Sequence, residues 1–300
     1  MRKSQTNSNI QSPKFQTYKV WLLVIGILVV IWNLVFGCRY FSLYAQEVSK
    51  EQEVLFVAKK AFEDGFYEVS LGLLERFLKS YPESAELPQA YLLIGQCYFY
   101  QNKFLDALST FEKLLSEPKA KNIRDALYFW VAEVHFKGNS FDRAASYYQK
   151  IIDEFPKSSY VPLAYYSLGW TEFQRQNFKE SLKFFSIVED RYPKEPQARD
   201  SSLKIIECLY NLKDYPQLKE KIKAYLKVYA KEPAILMYLN FYLAEANYYL
   251  DDFEGAVDAY QKVTATSDKQ LQALSRLGLG WSYLKLKKYK EAESLFLSAE

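Results

Sequence analysis

The sequence predicts an all-α fold, a solenoid of about seven helix-turn-helix units following an N-terminal transmembrane or signal helix. Three observations carry this expectation. Aromatic residues recur at a near-constant interval from Tyr67 to Tyr289, small residues keep step with them, and an unbroken apolar run begins at Val20 behind a basic stretch. The composition is that of a folded chain: 49% hydrophobic and 25% charged, with ten Gly and ten Pro in 300 residues. Disordered, collagen-like and disulfide-scaffold chains are excluded on that basis.

The N-terminal segment carries the charge asymmetry. Arg2, Lys3, Lys14, Lys19 and Arg39 are the only ionisable side chains of either sign in residues 1–46, apart from tyrosines and Cys38. The other 34 bases face 36 acids, and such a nearly neutral body lacks the basic face that displaces counterions from nucleic acid. Residues 1–19 read as a disordered cytoplasmic tail. A helix over 20–44, rising about 1.5 Å per residue, would cross a bilayer of about 30 Å with some tilt. Tyr18 and Trp21 stand near one end of it, Tyr40, Phe41 and Tyr44 near the other, as in interfacial aromatic belts. Four bases before the run and one just after it put the N-terminus inside and the body outside. Three fates fit the segment: a retained anchor, a signal cleaved after Ala45, or lipidation at Cys38 behind Val35-Phe36-Gly37. All three export the body.

Beyond Glu47 the chain repeats. Tyr67, Phe104, Phe141, Phe178, Tyr215, Phe253 and Tyr289 are spaced by 37, 37, 37, 37, 38 and 36 residues. Nine residues before each stands Ala58, Gly95, Ala132, Gly169, Ile206, Ala244 or Gly280, small in all but one. Three residues after each stands Ser70, Ala107, Ala144, Ser181, Leu218, Ala256 or Ala292, again small in all but one. Four further on comes an apolar residue: Leu74, Phe111, Tyr148, Phe185, Ile222, Tyr260 or Phe296. Each unit reads as a helix pair. Tyr91, Ile94, Gly95 and Tyr98 share one helical face, Gln101-Asn102-Lys103 make a polar turn, and Ala107, Leu108, Phe111, Leu114 and Leu115 share a face of the second helix. Small residues let the two backbones approach, and Pro82, Pro118, Pro156 and Pro193 close second helices. A lone hairpin exposes an apolar face, so the units must stack. They fall at about 51–87, 88–124, 125–161, 162–198, 199–236, 237–272 and an incomplete 273–300.

Over residues 51–300 the chain resembles the tetratricopeptide repeat family, through stretches such as Tyr91-Leu92-Leu93-Ile94-Gly95-Gln96-Cys97-Tyr98 and Phe141-Asp142-Arg143-Ala144-Ala145. The unit around Tyr215 departs most, with Ile206 and Leu218 where the family prefers small residues. The Tyr81-Pro82-Glu83-Ser84, Phe155-Pro156-Lys157-Ser158 and Tyr192-Pro193-Lys194-Glu195 junctions narrow the likeness to bacterial envelope scaffolds. These are the outer-membrane-assembly lipoproteins (BamD type) and the Tol-Pal cell-division coordinators (CpoB type). The resemblance implies a right-handed superhelix, in the periplasm, whose first helices line a concave face.

Mapped by helical spacing, that face holds Phe62, Leu92, Phe99, Tyr100, Phe129 and Phe136 toward the N-terminal side. Tyr166, Trp170 and Phe173 are its expected centre, and Tyr210, Phe241, Tyr248, Tyr249 and Trp281 continue it. Gln96 adds a neutral amide, and Glu133, Glu207 and Glu245 add sparse acids. Such a trough suits an apolar or basic partner segment, extended or an amphipathic helix. The same rings could instead pack on neighbouring helices, and both readings stand at this level. His135 and the thiols Cys97 and Cys208 fall on core-facing stripes, so a packed histidine and buried free thiols are expected.

No phosphate-cradling glycine loop, metal-ligand cluster or nucleophile-base pair is legible, so no enzyme activity, cofactor or small-molecule substrate is expected. The function expected is a membrane-anchored, extracytoplasmic scaffold that binds other envelope proteins. Alternatives are an anchored organelle import receptor with a cytosolic body, or the non-catalytic part of an enzyme continuing past Glu300. The last helix stops while still apolar at Leu295, Phe296 and Leu297, where a solenoid end needs covering.

Overall fold

The computed structural model describes residues 50–297, and their regular structure is helical throughout: fourteen α-helices and a single 3-10 turn. The apolar run over 20–44 and Cys38 lie outside the described residues. No helix among those described is long and apolar enough to cross a membrane.

The chain divides into two compact units at Ser84 and Ala85. The first contains α1 (Lys50–Glu63) and α2 (Tyr67–Ser80). The second begins with α3 (Leu87–Tyr100) and α4 (Phe104–Leu115), followed by the 3-10 turn Pro118–Ile123. Next come α5 (Arg124–Lys137) and α6 (Phe141–Glu154), then α7 (Val161–Gln174) and α8 (Phe178–Arg191). The series continues with α9 (Gln197–Asn211) and α10 (Tyr215–Val228), then α11 (Pro233–Tyr249) and α12 (Phe253–Val263). It ends with α13 (Lys269–Lys285) and α14 (Tyr289–Leu297). Within this second unit each helix packs on the next, and first helices of successive pairs also meet, α5 and α7 through the Ser167–Glu133 hydrogen bond. The repeating helix pairs anticipated from the aromatic period are therefore present.

Every one of the seven periodic aromatics is the first residue of a second helix. The turn before it has one geometry throughout. Gly65, Asn102, Asn139, Gln176, Lys213, Asp251 and Lys287, each two residues ahead of the aromatic, adopt positive φ between 55° and 82°. The following N–H reaches back five residues: Lys103 donates to the Tyr98 carbonyl at 2.9 Å, and Asp214 to Leu209 at 3.1 Å. This is a Schellman closure, which satisfies carbonyls that a helix end leaves open. Asp214 and Asp252 then cap the next helix, their carboxylates accepting from the N–H groups of Gln217 and Gly255. Helices α2, α6 and α8 end two residues before Pro82, Pro156 and Pro193, and Pro118 opens the 3-10 turn.

The small positions act as expected. A Cβ on Gly169 would lie 2.7 Å from Cε1 of Phe185, which is fully buried. Gly95 meets Phe111 and Gly280 meets Phe296 in the same way. The divergent unit changes both partners: Ile206, Leu218 and Ile222 share one fully buried cluster, with an isoleucine where five of the other six units place a ring. Ser70 and Ser181 tie the pair together, each Oγ donating at 2.8 Å to the carbonyl of Ala58 or Gly169. Cys97 and Cys208 are buried, and burial pushes the Cys208 thiol up to about 11. His135 is buried and stacked on Tyr147, with ring centroids 5.8 Å apart.

Gly169→Ala should destabilise by about 1–3 kcal/mol through overpacking. Gly72→Ala is the control, because a Cβ there meets nothing within 4 Å; it should stabilise by about 0.5–1 kcal/mol. Urea unfolding followed by circular dichroism distinguishes the two signs, and equal shifts would refute the pairing.

Candidate functional site

The expected trough residues sort into columns, each residue one repeat from the next. Phe99, Phe136, Phe173, Tyr210 and Tyr248 form one column in the second unit, five residues ahead of a turn aromatic, and Phe62 holds the same sequence register in the first. Each packs on that aromatic. Centroid separations are 5.6 Å for Phe62–Tyr67 in the first unit; in the second they are 5.5 Å for Phe99–Phe104 and 5.7 Å for Phe136–Phe141. Phe173–Phe178 follows at 5.3 Å, Tyr210–Tyr215 at 6.3 Å and Tyr248–Phe253 at 5.6 Å. The column thus locks the turns, whatever else its members touch.

A second column is buried at one end of the second unit and opens at the other. Leu92 and Phe129 are core residues, Phe129 lying 5.1 Å from Tyr160. Tyr166 is half-buried; its hydroxyl donates to Asp200 at 2.6 Å, and burial and then that hydrogen bond raise its pKa. Further along, Phe241 faces Tyr260 at 6.3 Å, and Leu277 is exposed. Of the flanking tyrosines, Tyr100 is exposed and edges onto Trp130 at 5.9 Å, while Tyr249 stacks on Tyr215 at 4.6 Å.

The third column carries the polarity: Gln96, Glu133, Trp170, Glu207, Glu245 and Trp281. Glu133 is enclosed, accepting from Tyr148 at 2.6 Å and Ser167 at 3.1 Å, and burial raises its pKa. Trp170 lies under the ammonium of Lys204, 4.5 Å from the ring centroid, and that ammonium pairs with Glu207 at 2.7 Å. Glu207 also accepts from Tyr238 at 2.8 Å. Glu245 accepts from Tyr210 at 2.9 Å and from Tyr260. Burial and the Glu245 charge raise both phenols, which stay protonated donors. Among the described residues no lysine or arginine forms an ion pair with Glu245.

A cleft of about 650 Å³ opens around Glu245, between α11 and α13. Six residues singled out from the sequence line it: Tyr210, Phe241, Glu245, Tyr248, Tyr249 and Trp281. Tyr260, Leu274, Leu277 and Gly278 complete the lining. Stepping back four and seven residues from Trp281 along a helix would have found both leucines. At the expected centre Tyr166, Trp170 and Phe173 are half-buried, with Asp200 bonded to Tyr166 and Lys204 over Trp170 and Phe173, while Tyr249 and Trp281 beside the cleft are exposed.

The fold is that of a helical-repeat protein, and the cleft is a solvent-open, mainly aromatic one. A family model described as tetratricopeptide repeat matches residues 58–122 and 92–159, and one described as outer membrane lipoprotein matches residues 161–277. The chain is similar to tetratricopeptide-repeat proteins over residues 58–159 and to the outer membrane lipoprotein family over 161–277. No functionally curated protein matches its sequence. Among solved structures it is similar to the C-terminal part of a tetratricopeptide-repeat protein from Cytophaga hutchinsonii. That match has 16% identity over 82% of this chain and 93% of the other, with a TM-score of 0.67. A tetratricopeptide repeat protein from Parabacteroides merdae matches at 15% identity over 83% and 91%, with a TM-score of 0.55. PilF of Pseudomonas aeruginosa matches at 15% identity over 71% and 90%, with a TM-score of 0.51. At these identities the structures show the shared fold alone.

Glu133 gives a pH test of the column. With its pKa raised above 4.5 in the native state, the folded chain holds a proton that the unfolded chain has released, so stability falls as pH rises through that window. Glutamine has no proton to lose. Glu133→Gln should therefore gain stability relative to the parent as pH rises above the ordinary carboxylate range, in urea titrations at each pH. A constant difference would refute the burial of this charge.

Proposed function

We propose that the protein is a non-catalytic scaffold of the bacterial cell envelope. Its N-terminal segment anchors it to a membrane, and its repeat body outside the cytoplasm binds other envelope proteins through the aromatic face ending in the Glu245 cleft. The observation that carries the reading is the cleft itself. Trp281, Leu274 and Leu277 stand exposed at 44–47% on one face of α13, beside half-buried Phe241 and Tyr248. Large rings bordered by aliphatic side chains are what interfaces bury for most of their affinity. The apolar run after Lys19 and the outer membrane lipoprotein match over 161–277 support the envelope setting. Confinement to a membrane would raise the effective concentration of other membrane-bound partners, so modest contacts suffice.

Of the remaining candidates of the face, Phe62, Leu92, Phe99, Phe129 and Phe136 have structural work of their own in the turns and cores, and Tyr100 is exposed, edge-on to Phe99 and Trp130. The reading therefore places the guest, a peptide segment or amphipathic helix, toward α11–α13.

A photo-reactive phenylalanine analogue at Leu277 in the native host should trap a single dominant envelope protein. The crosslink should disappear in Trp281→Ala, where loss of one anchor costs about 2 kcal/mol, roughly thirtyfold in affinity. Products confined to the chain itself would refute the interaction surface. A body resistant to added protease in intact cells and sensitive after outer-membrane permeabilisation is the outcome expected for a periplasmic location.

A further inference from the structure

The environments of Lys204 and Gly278 make a pair. Both residues stand two places before the small position of their first helix, Ile206 in α9 and Gly280 in α13. From that register a side chain faces two members of the polar column, one on the preceding first helix and one on its own. For Lys204 these are Trp170 and Glu207; its ammonium lies 4.5 Å from the Trp170 centroid, 5.6 Å from that of Phe173, and 2.7 Å from the Glu207 carboxylate. For Gly278 they are Glu245 and Trp281. The same two side-chain types recur with their order exchanged, but no side chain rises between them. Even a methyl group is barred at this position, since a Cβ on Gly278 would enter the Tyr260 ring. The Tyr260 ring covers Gly278, and the cleft opens beside it, lined by both.

We propose that this cleft binds a lysine or arginine side chain of a partner protein, with Glu245 as counter-ion and Trp281 as cation-π platform, in the manner in which Lys204 is held two repeats earlier. The inference rests on the protein-binding reading above and names the chemistry of the guest. Charge complementarity selects it. Glu245 is the one charged residue of the lining and has no basic partner among the described residues, whereas Glu207 already has Lys204. A carboxylate has about four lone-pair sites, and the Tyr210 and Tyr260 hydroxyls occupy two. Those hydroxyls orient the group while leaving room for an incoming donor. Leu274, Leu277 and Trp281, at i, i+3 and i+7 along α13, extend the cleft as an exposed apolar stripe. The basic side chain of the guest is therefore flanked by apolar ones.

The test is a phage-displayed library of random 12-residue peptides panned on the full chain in detergent micelles, followed by synthesis of the enriched sequences. Enrichment of one lysine or arginine with apolar neighbours is expected. Replacing that residue by norleucine should weaken binding at least tenfold on the wild type and little on Glu245→Gln, since the pair of changes removes one interaction. The norleucine arm needs no variant protein, so it holds even if Glu245→Gln folds poorly. Peptides without a basic residue that depend on Trp281 but not on Glu245 would overturn the cation site and leave the interaction surface standing. Failure to enrich any peptide sensitive to Trp281→Ala would overturn both.

Discussion

The whole array depends on one large side chain of each second helix seating against a small residue of its first helix. Phe111 over Gly95, Phe185 over Gly169 and Phe296 over Gly280 leave no space for a Cβ. Tyr148 and Tyr260 work with alanines, and Ile222 works with Ile206. Large and small side chains trade off between the two helices of a pair, because interiors are filled to near-crystalline density and tolerate neither void nor overlap. The same turn then recurs before every second helix. Burial of one such ring is worth about 1.5–3 kcal/mol, but its larger effect is to set the register.

The aromatic richness of the chain then divides into separate tasks. One ring begins every second helix, and the residue five before it packs on that ring to close the turn in all but the last pair, where Leu284 takes the position. A second set fills the pairs. Tyrosines of that set also supply the hydroxyls that satisfy buried or half-buried carboxylates: Tyr148 on Glu133, Tyr238 on Glu207, and Tyr210 with Tyr260 on Glu245. A carboxylate enclosed without donors costs several kcal/mol, so the paired phenols are the condition for a polar column inside the array. Only where the next first helix offers glycine does that column reach open space.

Much of this was legible in the residues. The period, the helix pairs, the small-to-large pairing, the buried thiols and the packed histidine follow from spacing and side-chain size, which act over one or two turns of helix. Six lining residues of the cleft were also legible, because helical geometry puts them on one face. Which part of that face is open was not. Trp170 and Tyr166 read as prominent groove residues, yet Lys204 and Asp200, more than thirty residues later, lie over them.

Local order was therefore determined by the sequence on its own: where helices start, where they turn, and which face is sticky. Tertiary structure decided which sticky rings are satisfied internally and which remain available, since that depends on a neighbour one repeat away. A lysine at 204 and a glycine at 278 occupy the same register, and only the stacking of first helix on first helix brings each beside a tryptophan and a glutamate.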